Sequence, residues 1–257
     1  VHSVFYSDLR RAINNRYVKM GAIVSVVYPL VYFLSYLLIL KIAKLDVQIY
    51  GDDILSSSYI RISSFIVTAV ITGFLAPEFS DGIIRNKLIT GASRNEAFTS
   101  LILVSGIVAG MMSAIASVTS LIISVLFTPG FGSLTTIEMG DYILSATSAQ
   151  ISIAVFSTML LIVLGNSKIS LAIPLAVAFI MKVIATVVQD KLYPTEGVCT
   201  LTGTRLKVYT LFDQYVPYSC LTRTVQYTFS SCFVGAMVLI IFSVVFGLII
   251  FDEKDIV

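Results

Sequence analysis

Val31-Tyr-Phe-Leu-Ser-Tyr-Leu-Leu-Ile-Leu40 carries no charge and no alternation, with large apolar side chains on consecutive positions. A strand of a membrane β-barrel alternates apolar and polar residues, so this run reads as a helix greasy on every side. The charge-free stretch around it covers 21–40, and five more follow at 62–77, 97–137, 142–167, 169–181 and 224–251. Together they make up more than half of the 257 residues. A helix needs about 20 residues to cross about 30 Å of hydrocarbon. With a turn allowed inside the third stretch, the pattern predicts six spans near 21–42, 59–79, 95–127, 141–165, 168–189 and 228–251. The expected fold class is therefore an all-α integral membrane protein, a six-transmembrane-helix bundle forming a single domain over 1–257.

Composition agrees: 57% of the residues are hydrophobic and 12% charged, about half the charge of an average soluble domain. That balance excludes a soluble globule, a disordered chain and a nucleic-acid binder. The first span is too long for a cleavable signal and no small-residue cleavage site follows it. Four basic residues, Arg10, Arg11, Arg16 and Lys19, precede it, and the tight 80–96 loop adds Arg85, Lys87 and Arg94. Basic residues favour the cytoplasmic side, so both termini are expected there. Residues 3–20 are expected to form an amphipathic interfacial helix. Phe5, Leu9, Ala12, Ile13, Tyr17 and Met20 recur at helical spacing, while Asp8, Arg10, Arg11, Asn14 and Asn15 face lipid headgroups or a partner.

The loop between the second and third spans, Phe79-Ser-Asp-Gly-Ile-Ile-Arg-Asn-Lys-Leu-Ile-Thr-Gly-Ala-Ser-Arg94, predicts a short amphipathic helix. Ser80 and Asp81 are placed to cap it, Ile84 and Leu88 share one face, and Gly91 suits a left-handed close. Ser93 followed by Glu96 forms a capping box that starts the third span. This string resembles the coupling helix of type 2 ABC exporter permeases: a polar or acidic residue, Gly, two apolar residues, Arg-Asn-Lys, an apolar pair, Gly and Ser-Arg. The resemblance implies that 80–94 docks on a cytoplasmic ATPase through Ser80, Asp81, Gly82, Arg85, Asn86, Lys87, Gly91, Ser93 and Arg94. It also implies two copies of an ATPase subunit binding ATP and Mg, and a second permease subunit, identical or related, in the membrane of a bacterial cell. No cofactor is expected in this chain itself, because no G-x-x-x-x-G-K-[ST] loop and no Gly-Lys dipeptide occur.

Enzyme chemistry finds little support. The single histidine, His2, excludes an H-E-x-x-H zinc site and leaves a Ser-His-Asp triad implausible, and no G-x-S-x-G elbow is present. Asp81-Gly-Ile-Ile-Arg85 shares its opening with the aspartate motif of membrane alcohol phosphotransferases but lacks the Ala before Arg and the later aspartates. Neither a catalytic nor a metal residue is assigned. A secondary transporter would need acids near the bilayer midplane, whereas Glu78, Glu96, Glu138 and Asp141 fall at span ends. A membrane scaffold or sensor that recruits a cytoplasmic protein is the alternative reading, since it needs only the same loop.

Several single features complete the sequence reading. Gly106, Gly110 and Ala114 recur every four residues and should let a neighbouring helix approach closely. Pro29 and Pro174 remove backbone donors within spans. Lys182 is an intramembrane charge that either snorkels outward or serves a function. The 190–227 segment, broken by Pro194, Gly197, Gly203 and Pro217 and rich in Tyr, is expected to dip back into the outer interface, as in the external gate of the resembled family. Within it, Cys199 and Cys220 are open either to bridging or to remaining as two thiols. Spans rich in Ser, Thr and aliphatic residues suit an amphipathic or hydrophobic cargo, such as a lipid, drug or antimicrobial peptide.

Overall fold

The computed structural model of the chain describes residues 2–44, 48–57, 59–80, 82–132, 135–165, 168–194, 199–222 and 229–253. Among them the regular structure is helical throughout: α1 (His2–Asn14), α2 (Arg16–Ala43), α3 (Gly51–Ser57), α4 (Tyr59–Ser80), α5 (Ile83–Ile89), α6 (Arg94–Phe127), α7 (Thr136–Leu164), α8 (Lys168–Leu192), α9 (Gly203–Tyr215), α10 (Pro217–Cys220) and α11 (Phe229–Glu253). Six segments are long and apolar enough to cross a membrane: α2, α3 with α4 as Gly51–Glu78, α6, α7, α8 from Ala172, and α11 to Phe251. The molecule is a multi-pass membrane-type bundle.

Two tiers of helices follow from burial. More than half of the most apolar stretch of α4, α6 and α7 is buried, against about a fifth of those of α2, α8 and α11. The outer three present Leu34, Leu38, Phe179, Ile180, Ile241 and Val245 outward, as lipid contact requires. Val67, Ile71, Phe74, Phe98, Leu101, Val104 and Leu161 fill the seam of the inner three. Hydroxyls join the same helices. Thr158 donates to Ser105 at 2.8 Å, Ser113 and Thr147 share a bond of 2.7 Å, and Thr68 and Ser157 one of 3.3 Å. Thr68, Ser157 and Thr158 also bond carbonyls of their own helices, so none is left bare. Gly106 and Gly110 lie against α7, where an added Cβ would meet Ile151 at 3.5 and 3.6 Å. Ala114, the third member of the stripe, is exposed.

Several boundaries differ from expectation. The helix expected over 3–20 is divided at Asn15, which turns extended (φ −70°, ψ 136°) and accepts the Tyr17 N–H at 2.8 Å as the N-cap of α2. The first crossing helix therefore begins at Arg16. Helical structure ahead of the second span begins at Gly51 rather than near 59, because Asp53 accepts the Tyr50 N–H at 3.3 Å and starts a helix where the acids read as loop. The fourth begins at Thr136 rather than 141, since Thr135 and Glu138 form a second capping box. The expected box at Ser93 and Glu96 is present, with Glu96 N–H donating to Ser93 at 3.2 Å.

Candidate functional site

The chain reverses between α4 and α6 at one end of the bundle, and α5 fills that reversal. Gly82 precedes it at φ 65°, a conformation open to glycine and strained for most residues, and accepts the Asn86 N–H at 3.0 Å. Its N-cap position has no side-chain bond. Ser80 is the last residue of α4, and Asp81 lies outside the described residues. At the far end Gly91 (φ 97°) donates to Leu88 O at 3.1 Å and Ala92 to Lys87 O at 3.1 Å, closing the helix in the left-handed manner expected.

The faces of α5 divide sharply. Ile84 is buried in the core shared with α4, α6 and α1, and Leu88 packs beside it. Arg85, Asn86, Ile89, Thr90 and Gly91 are exposed, with Ile89 at 73%. Lys87 does not join them. Its ammonium reaches Asp8 Oδ1 at 2.7 Å and both oxygens of Glu78 at 3.2 Å. Arg94 likewise turns inward and donates to the Phe251 carbonyl at 3.2 Å, tying the start of α6 to the end of α11. Of the three basic residues expected to contact a partner, only Arg85 points away from the protein.

Asp8 and Arg11 require a further correction. Expected on a face turned toward headgroups or a partner, they point into the bundle. Asp8 is 1% exposed, accepts the Ser100 hydroxyl at 2.6 Å and pairs with Arg11 at 3.7 Å. Arg11 ion-pairs with the fully buried Glu78, and its guanidinium lies 5.4 Å from the centre of the Phe74 ring. Two carboxylates and two cations thus form a neutral cluster joining α1, α4 and α5, with a hydroxyl from α6. Burial pulls the Lys87 ammonium below its ordinary pKa, while the hydrogen bond and charge of Asp8 oppose that pull. The Arg11 guanidinium is lowered for the same reason and is also countered by Asp8. The sequence signal for this cluster was Glu78. An acid in the last turn of an apolar span demands a cation, and Lys87 lies one short helix away.

The opposite end is built otherwise. Asp213 of α9 is 1% exposed and accepts from Ser219 at 2.9 Å, Tyr193 at 3.4 Å and Gln189 at 3.5 Å. Cys220 bridges Cys232 at the start of α11, with Cα atoms 6.3 Å apart. The pairing of Cys199 with Cys220 is therefore corrected. Cys199 is free, its thiol donating to Lys191 O at 3.4 Å, because α10 sets Cys220 against α11. Lys182 is half-buried and donates to Thr222 Oγ1 at 2.9 Å. Among the described residues, no three His, Cys, Asp or Glu side chains gather as a metal site.

These features define a class by architecture, a six-span helical bundle with a charge-locked reversal at one end and a stapled cap at the other. No protein-family model matches the chain, and comparison with curated proteins finds no match.

Proposed function

We propose that this chain is the permease subunit of an ATP-driven exporter of the type 2 ABC kind. It pairs with a second permease subunit, binds two copies of a cytoplasmic ATPase, and moves an amphipathic or hydrophobic substrate by alternating access. The observation that carries the reading is the division of α5: one face is locked into the bundle by Ile84 and Lys87, the other is left outward as Arg85, Asn86 and Ile89. A helix held so can receive a push and pass it on. On closure of the ATPase subunits around ATP and Mg, displacement of α5 would draw on Lys87 and move Asp8 and Glu78 with it. That motion would reach α1 and α4 and open a path between two permease subunits. In this arrangement α1 lies along the headgroup region, Arg85 with its neighbours meets the ATPase groove, and both termini are cytoplasmic.

The test is capture of co-purifying subunits from gently solubilised membranes. Wild type is compared with Arg85→Glu combined with Ile89→Ser, which leaves Lys87 and Arg94 in place. Recovery of a P-loop ATPase with wild type and its loss in the variant supports the reading. A stable wild type that recovers no ATPase overturns it and favours the membrane scaffold.

A further inference from the structure

The two outer helices α8 and α11 each pack on α7 and on the corner made by α9 and α10, but scarcely on each other. Between them the bundle leaves a slot of about 560 Å³. Phe156 of α7 forms its floor, Val177 and Met181 of α8 one wall, and Val238, Leu239 and Phe242 of α11 the other. Residues 215–218, where α9 meets α10, cross over it as a roof. The slot presents apolar surface throughout. Along α11 it runs from Gly235 to Phe242, about 9 to 20 Å from the helix start at Phe229 at about 1.5 Å per residue. That is the depth of acyl chains rather than of headgroups in a core about 30 Å thick.

Two ties hold the roof in place. Gly235 lies so close to the end of α9 that a Cβ added there would strike the Tyr215 carbonyl. One turn away, the bridge between Cys220 and Cys232 fastens α10 to α11. The slot is therefore preformed, not a space into which the roof can sink. Its mouth opens on the lipid side: Val238 is 61% exposed and Phe242 50%, and they continue the outward face of Ile241 and Val245. Water gains nothing from such a lining, since an apolar cavity stays dry and accepts an apolar guest. A drug-like or peptide guest would leave its polar groups there without partners, which is costly. A hydrocarbon tail brings none, and the mouth lies in the very surface that hydrocarbon already covers.

We propose that the slot between α8 and α11 is a binding site for one acyl chain of a bilayer phospholipid, held under the 215–218 roof and recognised by its tail alone. The site stands independently of transport, because its geometry involves neither α5 nor any ATPase.

The test uses the full chain reconstituted in vesicles of phosphatidylcholine that carries a photoactivatable diazirine midway along one acyl chain. Irradiation is performed in the vesicles and, separately, after exchange into lipid-free detergent, and adducts are mapped by mass spectrometry. Phe156 decides, because α7 is an inner helix and this side chain meets the bilayer through the slot. In vesicles, adducts are expected at Phe156 and also at Leu34 and Leu38 of the lipid-facing α2. After exchange the α2 adducts should vanish and the Phe156 adduct should persist. Val238→Trp and Val177→Trp, which narrow the slot from opposite walls, should each lose the Phe156 adduct, with the α2 adducts in vesicles reporting an intact fold. Phosphatidylglycerol bearing the same tail should label Phe156 equally, since no charged side chain lines the slot. Absence of the Phe156 adduct from wild type, the outcome if a second copy of the chain covers the mouth, overturns the proposal and needs no variant. So does its disappearance on exchange together with those of α2, which marks ordinary annular lipid, its persistence in both Trp variants, or a marked preference for one headgroup.

Discussion

The two ends of the bundle secure themselves by opposite means. At the α5 end charged side chains make the contacts, and several reach far along the chain, with Lys87 paired to Asp8 and Arg11 to Glu78. Ser100 reaches Asp8 across 92 residues and Arg94 reaches the Phe251 carbonyl across 157. At the α9 end the buried acid Asp213 takes hydrogen bonds from residues close by in sequence. Ser219 lies 6 residues from Asp213, Tyr193 lies 20 away and Gln189 lies 24 away, and the disulfide spans 12. Distant contacts join separate helices, so a shift of one is felt by others. Near contacts make a compact cap that can hold its shape while the helices below it tilt. The difference teaches that the two ends are built on different plans, the first a tie between separate helices and the second a local cap.

The largest effect should come from Glu78→Ala. It leaves Arg11 and Lys87 sharing Asp8 and should destabilise the chain by about 4 kcal/mol, read by denaturant unfolding in detergent. Asp213→Asn at the other end keeps its neutral hydrogen bonds in part and should lose only about 1 kcal/mol. Equal losses at the two acids would break the contrast. Lys87→Met should follow at about 3 kcal/mol and should raise hydrogen exchange in α1 as well as in α5, since both helices hang on that ammonium. Exchange confined to α5 would show that the cluster does not transmit. Removing the bridge by Cys220→Ser with Cys232→Ser should lower stability by about 2–3 kcal/mol, with exchange rising in α9 and α10 but not in α5. The smallest effect on stability belongs to Arg85→Ala, within about 0.5 kcal/mol, because its side chain is exposed. Any larger loss would mean that Arg85 belongs to the cluster rather than to the outward face.

Residues 21–40, 97–137 and 224–251 announce their helices because a charge inside hydrocarbon is so unfavourable that its absence is a signal. Ser93 with Glu96 and Gly91 are legible because caps and left-handed turns are set by neighbours along the chain. The ionic cluster is not, because Asp8 and Lys87 have no local feature that names each other. An i, i+3 pattern that groups Asp8 and Arg11 with other polar residues says that they share a face, but their distant partners, Lys87 for Asp8 and Glu78 for Arg11, lie far along the chain. For the same reason the sequence shows three basic residues near α5 without showing that Lys87 and Arg94 are turned inward. Cysteine spacing is silent on distance in space, and it took the seating of α10 against α11 to choose Cys232 over Cys199 as the partner of Cys220. Asn15 was hidden by periodicity, since a residue that suits a polar helical face also suits a cap.

The bridge between Cys220 and Cys232 is also a stamp of residence. Thiols in the cytosol of most cells are kept reduced, whereas an exposed bacterial surface or secretory lumen oxidises them. Whichever compartment the α9 end entered during synthesis is written into the redox state of two sulfur atoms. Alkylating the chain before and after reduction, straight from whole cells, would read that mark as a mass difference. The sidedness of the whole molecule could then be known without a tag, an antibody or any knowledge of what it carries.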